Sequence, residues 1–275
     1  MQRAGLYAAI ALPMALTLGV VHVINLAHGD FIMLAGYVVY FVSLSFGLDP
    51  LGGMLPMFVA MGLIGALVYV LAVRHILNAP LLSQLLLMFG IAMILQQLAN
   101  LLWTSQPRNL HVGYVTASAT IGSVSFGVYD FIYVGIAVVM LLGLIFFLKR
   151  TRAGQAAVAT GQNPRGARLV GIDVERTYLV IFSLSVALVG VLGAVFVTRH
   201  SIFPTVGLPF ALKSFCLIAM AGIGNLSGLL LAGFVLGIGE SLITSFKGYG
   251  GWADVVFFAL IVLVILAESI RRKAM

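Results

Sequence analysis

Apolar stretches long enough to cross a lipid bilayer recur along almost the whole chain. A helix crossing the hydrocarbon core takes about 20 mostly apolar residues. Runs of that kind extend from Ala4 to Val21, Phe31 to Leu48, Leu51 to Val73, Ala79 to Trp103, Phe131 to Leu148, Tyr178 to Thr198 and Trp252 to Ala267, the last with Asp254 near its start. A chain built this way has no route to a soluble globule. With 62% hydrophobic and 8% charged residues, too few polar side chains remain to cover a surface. The same composition excludes disorder. The 31 glycines suit close helix packing, since lipid supplies no hydrophobic drive between helices. The expected fold is all-α: a polytopic transmembrane bundle of about seven or eight helices plus a re-entrant half-helix.

The half-helix comes from the region Phe215 to Phe246, which breaks at Gly222-Ile223-Gly224-Asn225. Too few apolar residues precede the break to span, so a short piece is expected before it and a full helix after it. Residues 1–275 read as one membrane domain, because no soluble segment is long enough to fold alone. The start shows no Ala-x-Ala-like cleavage site, so the first apolar run reads as a retained span. Cys216 lies in an apolar run and reads as a small buried hydrophobe.

Orientation follows from Lys and Arg in short loops. Segment 149–176 carries Lys149, Arg150, Arg152, Arg165, Arg168 and Arg176, the tail carries Arg271, Arg272 and Lys273, and Arg74 follows the third span. Alternating the spans puts these on one side, expected to be cytoplasmic together with the C-terminus. Arg3, Arg108, Arg199, Lys213 and Lys247 fall on the other side. The net charge of +7 therefore reports cytoplasmic loops rather than nucleic-acid binding. On the outer side, 104–130 is rich in Ser, Thr, Gly and β-branched residues and reads as a small hairpin. Arg199 to Ser214, with Pro204 and Pro209, reads as a second outer loop.

Catalytic signatures are missing from the sequence. It has no Gly-x-x-x-x-Gly-Lys-Ser/Thr loop, no Gly-x-Ser-x-Gly elbow, no His-Glu-x-x-His and no cysteine cluster. No cofactor is expected. His22 and His28 are six apart and do not share a helical face, so they do not make a metal pair. No span carries a row of ionisable residues of the kind ion-coupled transporters place in their bundles. His28, Asp30 and Glu240 are the candidate ionisable groups; Asp30 is expected near the cytoplasmic end of the second span and Glu240 near the outer end of a later one, with a place at the membrane interface as the alternative for both. Energy coupling is expected to come from elsewhere.

The 149–176 loop points to the source. It is basic, yet too rich in Ala, Leu, Val and Ile for a disordered linker. The stretch from Gly154 to Ala159 permits a helix. Asn163-Pro164 gives a cap followed by proline at the first helical position, and a second short helix from there ends at Gly171. Two short helices across the cytoplasmic face make a docking surface.

Three segments carry a family resemblance. The loop, with Thr151, Arg152, Gly154, Ala159, Gln162, Asn163, Pro164, Ala167, Leu169, Gly171 and Ile172, resembles the coupling loop of branched-chain amino acid permeases of bacterial ABC importers. Asn25-Leu26-Ala27-His28-Gly29-Asp30 is similar to that family's Ile-Asn-Phe-Ala-His-Gly-Glu/Asp segment. Gly222, Gly224, Asn225, Gly228, Gly233, Gly237 and Glu240 match its late glycine-rich pattern. Val158 stands where the family has an arginine, and Arg165 where it usually has an acid.

The resemblance implies an inner-membrane permease without its own ATPase site. It implies a second homologous permease, two ATPase subunits and a periplasmic binding protein as partners, and alternating access driven by ATP. The substrate would be a hydrophobic amino acid, with urea, amides or aromatic acids as the range among relatives. The coupling contacts fall on Gly154, Gln162, Asn163, Pro164, Arg165, Ala167, Arg168, Leu169 and Gly171. Polar groups interrupting apolar stretches, namely Asn25, His28, Gly29, Asp30, Gln96 and Asn100, are the candidates for the translocation pathway, with helix-break support or helix–helix hydrogen bonding as the alternative role. Gly233 and Gly237 form a Gly-x-x-x-Gly pattern suited to close packing and to a permease–permease contact.

Overall fold

A computed structural model of the chain describes residues 2–110, 112–116, 118–121, 124–127, 129–222, 224–245, 252, 255, 257–259 and 262. The last apolar run, Trp252 to Ala267 with Asp254, lies mostly outside the described residues, as do Lys247, Ile223 and the tail bearing Arg271, Arg272 and Lys273. Ten α-helices are described: α1 Gln2–Val20, α2 His28–Phe46, α3 Met54–Leu71, α4 Leu81–Trp103, α5 Asp130–Arg150, α6 Arg152–Gln162, α7 Pro164–Leu169, α8 Val174–Phe196, α9 Gly207–Ala221 and α10 Leu226–Ser245. Seven of them are long and apolar enough to cross a membrane, and α9 is a shorter apolar helix. The fold is the all-α polytopic bundle that the apolar runs require.

Helix α8 is the central post. It packs on α1, α2 and α3. Glycine lets the backbones close: a Cβ on Gly193 would fall 2.4 Å from the Ala35 Cβ of α2, and one on Gly190 would fall 2.6 Å from the Met57 carbonyl of α3. Among the described spans α1 is the most enclosed and α4 the least, with its main contacts to α2 and the turn before it. The leucines of α4, such as Leu86, Leu98 and Leu101, face outward, as a lipid-contacting helix allows.

The two ends of the bundle differ in chemistry. One end gathers Val21 and His22, Arg74 to Asn78, the α6–α7 segment and the start of α8 around a cleft. The turn at Gly224 and Asn225 joins this end, facing Leu148, Lys149 and Gln162. The opposite end is tied by backbone pairing of Arg108 with Ile202, by Tyr114 donating to Asp49, and by Arg199 donating to the Val115 carbonyl at 3.1 Å. There β1 (Ser118–Ile121) and β2 (Val124–Gly127) form the expected antiparallel hairpin, with Ser118 opposite Gly127 and Ile121 opposite Val124.

Two expectations are corrected. The stretch Arg199 to Ser214 is not all loop: α9 begins at Gly207 and runs to Ala221, about twice the length read before the break. Pro209 falls in its first turn, where a missing N–H costs no helical bond, so it does not stop the helix. The break itself does not lie deep in the bundle. It sits at the basic end beside α1 and α6, with the Asn225 side chain capping α10 through the Gly228 N–H at 2.9 Å.

Candidate coupling and translocation sites

The loop between α5 and α8 folds as two helices because its own sequence caps them. The Thr151 hydroxyl accepts from the Gly154 N–H at 3.0 Å and starts α6. The Asn163 side chain accepts from the Gly166 N–H at 2.9 Å and starts α7, with Pro164 at the first position. Gly171, at φ 84, ends the second helix in the left-handed region that a side chain would strain. Such local caps are worth about 1 kcal/mol each.

The loop is pinned to the bundle at two glycines. A Cβ on Gly154 would fall 2.0 Å from the Phe147 carbonyl of α5, and one on Gly161 would fall 2.7 Å from the Gly19 carbonyl of α1. On its other flank, adjoining cavities of about 570 and 670 Å³ separate α6 from the turn before α10; Gln162 lines both. Ala167 is buried under α7, whereas Arg165 and Arg168 are exposed. Leu169 is 89% and Val170 76% exposed, an apolar tip at the end of the molecule.

The second candidate region lies inside the bundle. After α1 the chain turns at His22, one of two non-glycine residues with positive φ among the described residues, and runs back without helix through residues 23–27. Helix α2 then starts beside the middle of α1, where the His28 ring hydrogen-bonds the Ile10 carbonyl at 2.7 Å. Gly29 meets Gly207, the first residue of α9: a Cβ on Gly29 would fall 1.8 Å from the Gly207 carbonyl. Two helix N-termini thus converge within the bundle. Asp30 lies between them. Its Oδ1 accepts from Gln96 of α4 at 3.0 Å and would lie 2.7 Å from a Cβ on Gly207.

Asp30 lies inside the bundle rather than at its surface. It is fully buried, because residues 21–27 double back and carry the start of α2 into the bundle. Asn25, His28 and Asp30 are all buried, and Asn25 Nδ2 and Oδ1, His28 Nδ1 and Asp30 Oδ2 have no hydrogen-bond partner among the described residues. The structure brings Asp30, Gly29 and Gln96 together and leaves Asn100 out. Asn100 is exposed, one turn beyond Gln96 on the least enclosed helix.

The late glycines serve the chain's own packing. A Cβ on Gly233 would fall 2.9 Å from the Ala8 amide, and one on Gly237 2.3 Å from the Ala4 Cα. The Gly-x-x-x-Gly face of α10 is thus occupied by α1 and is not free for a second permease. Sequence reading also missed a charged cluster. Lys213, read as an outer-loop residue, is a buried residue of α9, 3.4 Å from Glu240 of α10. Arg3 joins Glu240 at 3.2 Å, and the Tyr7 hydroxyl takes part, donating to Glu240 and accepting from Lys213 at 2.9 Å. A lone lysine shortly after Pro204 and Pro209 looks like a loop residue; its tertiary partner Glu240 reveals its burial.

These features define a multi-pass helical membrane protein with a capped two-helix platform at its basic end and a polar crossing of helix starts inside. The chain belongs to the family described as branched-chain amino acid transport system / permease component, whose model matches residues 1–265. It is 28% identical over 267 residues to the probable branched-chain amino acid transport permease protein LivH of Methanocaldococcus jannaschii, covering 95% of this chain and 84% of that one. It is 27% identical to the high-affinity branched-chain amino acid transport system permease protein LivH of Escherichia coli strain K12, covering 94% and 88% of the two chains. A match of 27% to the xylose transport system permease protein XylH of the same organism covers 49% of this chain and 36% of that one. No solved structure matches.

Proposed function

We propose that this chain is the permease subunit of an ABC importer that moves branched-chain or similar hydrophobic amino acids into the cytoplasm. The basic end would be cytoplasmic, in a bacterial inner membrane, with the C-terminus on that side. The observation that carries the reading is the α6–α7 platform: capped by its own residues, tipped by exposed Leu169 and Val170, and pinned through Gly154 and Gly161 to α5 and α1. Two ATPase subunits would dock on it, one for each of two paired permeases. A push on α6 is then passed to α1 and α5 through backbone contacts that leave no slack, while the cavities on its other flank let it move against the start of α10. The opposite end, with the β1–β2 hairpin and the Val197 to Val206 connection, would receive the periplasmic binding protein. The pathway would pass the α2–α9 crossing.

The test replaces Asn163-Pro164 and Leu169 with bulky charged residues. ATPase association and uptake should be lost while the permease stays folded. Unchanged assembly and uptake would remove the platform from the account. A second reading, an ion-coupled secondary transporter, draws on the buried Tyr7–Lys213–Glu240 cluster and the partly exposed Arg3 beside it. It requires uptake without any ATPase subunit.

A further inference from the structure

The α2–α9 crossing holds an unusual concentration of unpaired polar atoms. Both amide atoms of Asn25, three residues before the start of α2, and one oxygen of Asp30 are shut away from solvent with no partner among the described residues. Leaving such groups unpaired in a packed interior costs about 1–3 kcal/mol each, so they call for a purpose. Two helices also begin here, and the first N–H groups of a helix have no partner within it. At α9 these belong to Gly207 and Leu208, whose N–H groups find no acceptor in a preceding turn. Helix N-termini favour negative charge, and broken helices that end inside a membrane bundle present such ends to anionic groups. The crossing therefore offers a carboxylate and two helix N-termini, and the segment leading into α2 adds a carboxamide free to donate and accept.

We propose that this crossing is the head-group subsite for an α-amino acid in transit. The Asp30 carboxylate takes the ammonium. The N-terminal N–H groups of α9 and the Asn25 carboxamide take the carboxylate. Gln96, which donates to Asp30 Oδ1 at 3.0 Å, is the positioning residue that holds the acid in place. In the structure the subsite is closed: the Gly29–Gly207 backbone contact leaves no room for a ligand. It becomes available when α2 and α9 part. Because it reads the two charges common to all α-amino acids, it leaves the side chain unselected. The inference rests on the amino acid permease reading and assigns that reading its recognition residues.

The experiment uses the assembled transporter with its ATPase subunits and binding protein in proteoliposomes, with radiolabelled leucine as the probe. Wild-type uptake is measured first, because its absence would overturn the permease reading itself. Given wild-type uptake, Asp30→Asn should lower leucine transport at least tenfold, while ATP hydrolysis stimulated by loaded binding protein stays within about twofold of wild type. Asp30→Glu should recover a substantial part of the transport. Gln96→Ala should raise the leucine concentration needed for half-maximal transport. Transport by Asp30→Asn at the wild-type rate would overturn the subsite. So would an equal fall of hydrolysis and transport, or loss of assembly in both Asp30 variants, since a purely structural Asp30 predicts those results.

Discussion

The α6–α7 platform and the α2–α9 crossing are both breaks in an otherwise helical chain, yet they are built in opposite ways. The platform is local. Its caps, Thr151 and Asn163, bond residues three positions on, and its stop, Gly171, depends only on its own φ. The crossing is made by parts of the chain far apart in sequence, and nothing near Gly29 announces Gly207. The platform is exposed and rests on the bundle at two glycines, whereas Gly29, Asp30 and Gly207 of the crossing are buried beside unpaired polar groups. A region built from local signals tolerates change and can be moved as a unit. A region built from contacts between distant parts of the chain does not tolerate change, and its disruption reaches the whole bundle.

Substitutions should separate the two regions. The largest effect is expected at the crossing. Gly29→Val forces a side chain into the Gly207 backbone, a displacement beyond the about 4–5 kcal/mol at which single substitutions become exceptional. Size-exclusion profiles should show loss of folded permease. If Gly29→Val folds and transports normally, the crossing is looser than described.

The platform should respond less. Asn163→Ala removes one cap, about 1 kcal/mol, and should lower uptake several-fold without changing the permease melting temperature by more than about 2 °C. A large drop in melting temperature would show that the platform is not a separable unit.

A smaller effect belongs to the outer end. His200 stacks on Phe196 and packs against Tyr133 and Phe210. Burial, with Arg199 and Arg3 nearby, lowers its pKa from 6.5 to about 4. The imidazole is then neutral in the fold and takes up a proton on unfolding. Stability should be flat above pH 6.5 and fall as pH drops from there towards 4. Melts at several pH values check this, and His200→Gln should flatten that part of the curve.

The smallest effect is expected at Asn100, which is exposed and apart from Asp30. Asn100→Ala should leave uptake within about twofold of wild type. A strong loss there would widen the pathway beyond the crossing.

The same contrast explains what the sequence could reveal. Apolar run length marks spans because the bilayer sets it, so the bounds of α1, α3, α4 and α5 were legible within a few residues. Both platform helices were legible because caps are short-range. The burial of Asp30 was not legible because hydropathy records that a segment is apolar, not that residues 21–27 turn back inside the bundle. Lys213 was misplaced because its burial depends on Glu240 and Tyr7, which lie on other helices. The Gly233–Gly237 face was read as a surface for close packing and for a permease–permease contact; that α1 lies against it is a tertiary fact.

The central claim is that energy enters through the platform from another subunit. Its most direct measurement is leucine uptake into proteoliposomes carrying the paired permeases, with and without the ATPase subunits, at zero and at imposed proton and sodium gradients. Uptake should require the ATPase subunits and ATP and should ignore both gradients. Uptake driven by a gradient without the ATPase subunits would contradict the account.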